Sequence, residues 1–168
     1  MKLECIEITK RNPDFGGFAE ALTIAAENIK FQNTVHIKDG CFLESTNGHI
    51  LKSQLLSGAY EPGCYKKIYR SNSKIFLVQA ENSVRYPNFT NILDMSEYKN
   101  IYSFPSGQPQ LAYFQLIRLP EKINIDYKYF NMVQGEIEVW FKDRKSAIIF
   151  KSLSDYNTTW AIMPMREE

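Results

Sequence analysis

Two turn dipeptides, Asp39-Gly40 and Asn47-Gly48, constrain the fold of this chain more than any other feature. Both tolerate the positive φ angles of tight hairpins, and both are flanked by short stretches in which apolar and polar residues alternate. The stretches Val35–Lys38, Cys41–Ser45 and His49–Leu56 therefore read as an antiparallel meander. Ahead of them, Met1–Thr9 carries Leu3, Cys5, Ile6 and Ile8 among polar residues, a strand signal that stops at the turn cluster Asn12-Pro13-Asp14. From Gly17 onward, Phe18, Leu22, Ala25, Ala26 and Ile29 recur at helical spacing and predict an amphipathic helix to about Lys30. Its other face holds Glu20, Thr23, Glu27 and Asn28. Beyond the meander, Cys64–Tyr69 and Lys74–Gln79 are further strands, ended by Tyr86-Pro87-Asn88.

The last third repeats this plan. Asn124–Gln134 reads as a short amphipathic helix that buries Tyr127, Phe130 and Val133, and Glu136–Lys142 alternates Ile137, Val139 and Phe141 with polar neighbours. Ala147–Lys151 and Thr159–Met165 complete a second meander, and Leu111–Leu119 reads as a strand entering it. Pro105, Gly107 and Pro109 mark a connection over residues 94–110. The expectation is an α+β fold, a single domain over residues 1–168 with two strand-helix-antiparallel-sheet half-units at about 1–93 and 111–168.

Composition narrows the function classes. The 168 residues are 44% hydrophobic, enough for a core, and 20 basic against 19 acidic residues leave a net charge of +1. Without a bulk positive field, any nucleic-acid contact must come from a local patch. Lys66-Lys67 with Arg70, and Lys142 with Arg144-Lys145, read as solvated charges at strand ends. No apolar run is long enough for a membrane span and Met1–Cys5 lacks a signal-peptide plan, so the expected location is cytoplasmic. Cys5, Cys41 and Cys64, odd in number and widely spaced, fit reduced thiols. No metal-ligand spacing, phosphate-cradling glycine loop or nucleophile signature surrounds His36 or His49, so neither metal, cofactor nor catalytic residue is expected. His36 is expected on the solvent side of a strand whose Val35 and Ile37 face the core.

Three strings, in order, add a family resemblance. Ser45-Thr46-Asn47-Gly48-His49-Ile50-Leu51 resembles the Ala-Thr-Asp-Gly-His-Arg-Leu turn of the bacterial DNA polymerase III sliding clamp. Arg85-Tyr86-Pro87-Asn88-Phe89-Thr90-Asn91-Ile92-Leu93 is similar to the Phe-Pro-x-Tyr-x-x-x-Leu segment that closes that clamp's middle domain. Trp160-Ala161-Ile162-Met163-Pro164-Met165-Arg166 is similar to its Tyr-Val-Val-Met-Pro-Met-Arg ending. The resemblance implies a clamp-type fold of paired half-units and a non-enzymatic protein of DNA replication. It also implies a peptide groove, with Thr46, Gly48, His49 and Leu51 as one wall, Pro87 as a corner, and Ile162, Met163, Pro164, Met165 and Arg166 as the other. The implied partners are replication or repair proteins bearing short peptide motifs, with double-stranded DNA and further copies of the chain as the ring-forming extension. Lys128 is the candidate DNA contact. Two departures favour an alternative, a stand-alone interaction or decoy module that does not encircle DNA. The clamp turn's Asp and Arg are here Asn47 and Ile50, and the first helix presents Glu20 and Glu27, which would oppose phosphates.

Overall fold

The computed structural model describes residues 4–28, 30–39, 41–80, 86–104, 109–155 and 157–165. The chain divides into two compact units, Met1–Pro87 and Asn88–Glu168.

In the N-terminal unit, β1 (Cys5–Thr9) leads into α1 (Phe15–Ala26), followed by β2 (Thr34–Lys38), β3 (Phe42–Thr46), β4 (Ile50–Leu55), β5 (Gly63–Arg70) and β6 (Lys74–Gln79). These strands pair in the order β1-β6-β5-β2-β3-β4, antiparallel at every pairing. The antiparallel meander β2-β3-β4 is thus present, Gly40 of the first expected turn lies outside the described residues, and Gly48 adopts φ +95°, a conformation open to glycine and strained for other residues. One sheet face packs on α1. Phe18, Ala21, Leu22 and Ala25 of the helix meet Ile8, Val35, Ile37, Leu43, Tyr65, Ile75 and Leu77 of the strands, and each is almost fully buried. Helix α1 begins at Phe15, earlier than the periodicity predicts. A Cβ at its Gly17 would lie 2.5 Å from the Gln54 side-chain oxygen, so a larger residue there would displace the Gln54 amide where the first turn meets β4.

In the C-terminal unit, β7 (Lys99–Phe104) precedes α2 (Pro109–Leu116), α3 (Tyr127–Phe130), β8 (Ile137–Phe141), β9 (Ile148–Ser152) and β10 (Thr158–Ile162). The sheet order is β10-β9-β8-β7, again antiparallel. Phe130 of α3 meets Phe150 of β9 edge-on at 5.6 Å, and Tyr113 of α2 lies 5.6 Å from Phe130. Antiparallel sheets with helices packed outside them make the fold α+β, as the sequence predicts.

Three local expectations change. Leu111–Leu119 is not a strand, because Pro109 opens a helix whose Tyr113 and Leu116 turn inward, three residues apart. Residues 94–110 are not simply a connection, since they contain β7, whose pairing with β8 is broken by an irregularity between Asn100 and Tyr102 that hides its alternation. The helix predicted over Asn124–Gln134 shortens to four residues, capped where Asp126 Oδ1 accepts from the Lys128 amide at 2.8 Å. No described helix is long and apolar enough to cross a membrane.

Candidate functional site

In the N-terminal unit, the sequence-predicted wall residues sit on the β3–β4 hairpin. Asn47 Oδ1 accepts from the His49 and Ile50 amides at 3.0 and 2.9 Å, and Thr46 Oγ1 accepts from the Gly48 amide at 3.0 Å while donating to the Ile50 carbonyl at 2.8 Å. These bonds fix a tight Asx-type turn that leaves Gly48 and His49 exposed and buries Thr46 and Leu51. Two further bonds tie the hairpin to the end of α1. Asn28 donates to the Thr46 carbonyl at 2.8 Å, and Asn47 Nδ2 donates to Glu27 Oε2 at 3.1 Å. Pro87 is half-buried at the end of this unit.

Of the two acids on and just after α1, Glu20 has a cationic partner and Glu27 a neutral one. Glu20 accepts from Lys52 Nζ at 2.5 Å, and Lys52 is buried to 2% exposure on β4, directly beneath the helix. Glu27 is the partner of Asn47. The sequence-based objection that both glutamates would confront phosphates therefore weakens for Glu20, whose charge Lys52 meets, and stands for Glu27, which is exposed beside a neutral amide.

The outer face of the same sheet carries a row the sequence does not announce. Glu44, His36 and Cys64 stand at paired positions on β3, β2 and β5, with His36 Nδ1 3.0 Å from Glu44 Oε2. Val35 and Ile37 face the core as expected. An acid, an imidazole and a thiol in sequence would suit nucleophilic catalysis. Two features oppose it here: the Tyr86 ring stacks on His36 at 5.2 Å, and burial pushes the Cys64 thiol up, away from the reactive thiolate. The Tyr86 phenol is likewise pushed up, chiefly by burial. Only strand register brings these residues together, so no local motif could have found them.

In the C-terminal unit, β10 delivers Ile162 into the core, fully buried, and the chain then leaves the sheet as Met163-Pro164-Met165. Both methionines are exposed, at 41% and 46%, whereas Ile162 is a core residue. The Met165 amide donates to the Asn124 carbonyl at 2.8 Å, which holds this segment against the stretch before α3. Between them opens a cavity of about 600 Å³, floored by Phe141, Ile148 and Ile123 with Met163, Pro164 and Met165, and edged by Lys122, Arg144 and Lys145. Polarisable methionines over an aromatic and aliphatic floor suit apolar side chains of more than one shape. A second hollow of about 410 Å³ shares Met163 and Lys145 and is otherwise polar, with Asp94, Glu97, Tyr98 and Lys142 on its walls. Lys142 there is paired with Glu97. Arg166 lies outside the described residues. Lys128 is exposed on α3, its ammonium 5.5 Å from the Tyr129 ring centroid. Sequence reasoning missed Phe141, Ile148 and Asn124 as lining residues, since strand alternation assigns them to a sheet and not to a cavity. Among the described residues no group of three or more His, Cys, Asp or Glu side chains is placed to hold a metal ion.

No protein-family model matches the chain, and no curated protein matches it by sequence. Solved structures do. The chain is similar to the DNA polymerase III β subunit of Borrelia burgdorferi, solved with a natural product, at TM-score 0.58 and 15% identity, over 98% of this chain and 65% of that one. It is similar to the Pseudomonas aeruginosa DNA polymerase sliding clamp at TM-score 0.58 and 9% identity, over 97% and 67%. It is also similar to the Helicobacter pylori β clamp bound to a DNA ligase peptide, at TM-score 0.59 and 11% identity, over 99% and 67%. The chain thus spans about two thirds of the length of the clamp subunits it matches. At these identities the likeness is one of architecture, and the fold of this chain is that of the bacterial DNA sliding clamps.

Proposed function

We propose that this chain is a non-enzymatic, clamp-like protein of DNA replication that tethers replication or repair proteins by gripping short peptide segments. The observation that carries this reading is the exposed Met163-Pro164-Met165 segment edging a cavity with an apolar floor. A clamp of the same fold, that of Helicobacter pylori, holds a DNA ligase peptide. Thr46, Gly48, His49, Leu51, Pro87, Ile162 and Arg166 are proposed to support the same activity. His49, exposed at its turn, would supply a polar contact. Cytoplasmic location and further copies of the chain, closing around double-stranded DNA with Lys128 toward it, complete the proposal.

Titration of a fluorescent Gln-Leu-x-Leu-Phe-type peptide tests it. Saturable binding at micromolar concentration, about −8 kcal/mol, that weakens tenfold or more in Met163→Ala is the expected result. Absence of binding up to millimolar peptide would sink it. The alternative, an interaction module that does not encircle DNA, differs in one respect. It retains peptide binding but slides off circular DNA as readily as off linear DNA, whereas a closed ring is held on the circle.

A further inference from the structure

We infer that the cavity of the C-terminal unit selects acidic peptides, and that Lys122, Arg144 and Lys145 determine this specificity. The inference rests on the peptide-tethering reading above and deepens it. All three cations are exposed, and among the described residues none makes an ion pair or a side-chain hydrogen bond. Among the described residues no carboxylate lines the cavity. Three acids of this unit are already engaged. Asp143 accepts from the Lys145 and Ser146 amides, each at 2.8 Å, and from the Ser146 hydroxyl at 2.9 Å, bonds that hold its carboxyl below the usual range. Asp126 caps α3. Glu97 belongs to the neighbouring hollow and is paired with Lys142. The contrast with Lys142 is informative, because among the described cations on the turn after β8 it alone has an ion-pair partner, while Arg144 and Lys145 edge a cavity with an apolar floor.

A ligand that only filled that floor would leave three like charges facing one another around it. A ligand carrying carboxylates beside its apolar anchors relieves that repulsion and gains three exposed contacts, each modest but acting together. Because these charges sit at the rim, their contribution is screened by salt, whereas the apolar contacts are not.

The test compares two labelled peptides of equal length and equal apolar content, Gln-Leu-Asp-Leu-Phe-Asp-Glu and Gln-Leu-Asn-Leu-Phe-Asn-Gln, against the full chain. The acidic peptide is expected to bind about tenfold tighter at 50 mM salt. That advantage should shrink toward unity at about 0.5 M salt, and equally in the triple variant Lys122→Gln, Arg144→Gln, Lys145→Gln. Equal binding of the two peptides to the parent overturns the inference and leaves peptide tethering standing. An acidic preference that survives in the triple variant also overturns it, since the charge would then be read elsewhere. Failure of both peptides to bind overturns tethering and the inference together.

Discussion

Asp14 offers the sharpest test of what holds the N-terminal unit together. It occupies the N-cap position of α1 but makes no side-chain cap bond, so its value does not lie in capping. Its carboxylate, at 2% exposure, instead accepts from the Ser57 amide at 2.7 Å, the Gly58 amide at 2.9 Å and the Tyr60 hydroxyl at 2.9 Å. It thereby clamps the loop after β4 to the start of the helix, and Tyr60, held there, packs edge-on against Phe18 at 5.4 Å. Asp14→Ala strands two backbone donors and a phenol. The three bonds are part-buried and run to a charged group, so at about 1–1.5 kcal/mol each, with partial relaxation of the hydroxyl, the loss is about 2–4 kcal/mol. That is a large fraction of the ~5–15 kcal/mol that stabilises a domain. Trp140 and Trp160 both belong to the C-terminal unit, so tryptophan fluorescence is the wrong probe. The readout is the exchange protection of the Ser57 and Gly58 amides, with a urea midpoint followed by circular dichroism. Asp14→Ser separates the two explanations, because serine caps well but is too short to reach the loop. It should remain nearly as destabilised as alanine. If serine restores stability, or if alanine loses less than about 1 kcal/mol with unchanged exchange, the clamping argument is wrong.

Three other outcomes follow from single contacts. Glu20→Gln leaves the Lys52 ammonium buried without its carboxylate and should lose about 3–5 kcal/mol in urea unfolding, whereas Lys52→Met, apolar and of similar length, should stay within about 1 kcal/mol of the parent; the reverse order of stabilities would refute the pairing argument. Gly48→Ala should lose about 1–2 kcal/mol through its φ of +95° alone, since nothing lies within 4 Å of the added carbon, and its crystal structure should show no displaced neighbour. The Tyr60 phenol is raised from 10.0 to about 12, chiefly by burial, with the Asn12 bond opposing and Asp14 adding. A folded-state value above the unfolded one means that its contribution is intact below pH 10.0 and is lost as pH rises toward about 12, so alkaline unfolding should flatten over that window in Tyr60→Phe.

How much of this was legible depended on whether the signal was local. The hairpin at Asn47-Gly48 was readable because a positive φ and an Asx turn are demands that two adjacent residues meet by themselves. Strand β6 was readable end to end because alternation of buried Ile75 and Leu77 with outward residues is a period-two pattern. Leu111–Leu119 failed because a short apolar run does not distinguish a strand from a helix, and the deciding contacts, Tyr113 against Phe130 and Leu116 into the core, come from elsewhere in the unit. The site divides in the same way. Met163-Pro164-Met165 is one string and was readable, but the cavity needs Phe141, Ile148 and Asn124 brought to it by sheet pairing and by the Met165–Asn124 bond. Arg144 and Lys145 looked like ordinary turn charges because their distinguishing property, a place at the edge of an apolar-floored cavity, is a fact of space.

The departures from the clamp pattern acquire a physical reason in the same contacts. An aspartate at position 47 would set a second carboxylate where Asn47 now donates to Glu27 at 3.1 Å, and the bond joining hairpin to helix would become a repulsion. Glutamate at 27 and asparagine at 47 therefore belong together, each making sense only in the presence of the other. The same holds for Glu20 and Lys52, an exchange of charge between helix and strand that a purely apolar α1 face would not need. Both pairs lie within the N-terminal unit and connect α1 to the β3–β4 hairpin. The substitutions that seemed to argue against a clamp-like role for the helix are first of all internal fastenings of it. Counting acids on the helix sequence therefore treats alike two different charges, that of Glu20, met by the buried Lys52, and that of Glu27, exposed beside a neutral amide.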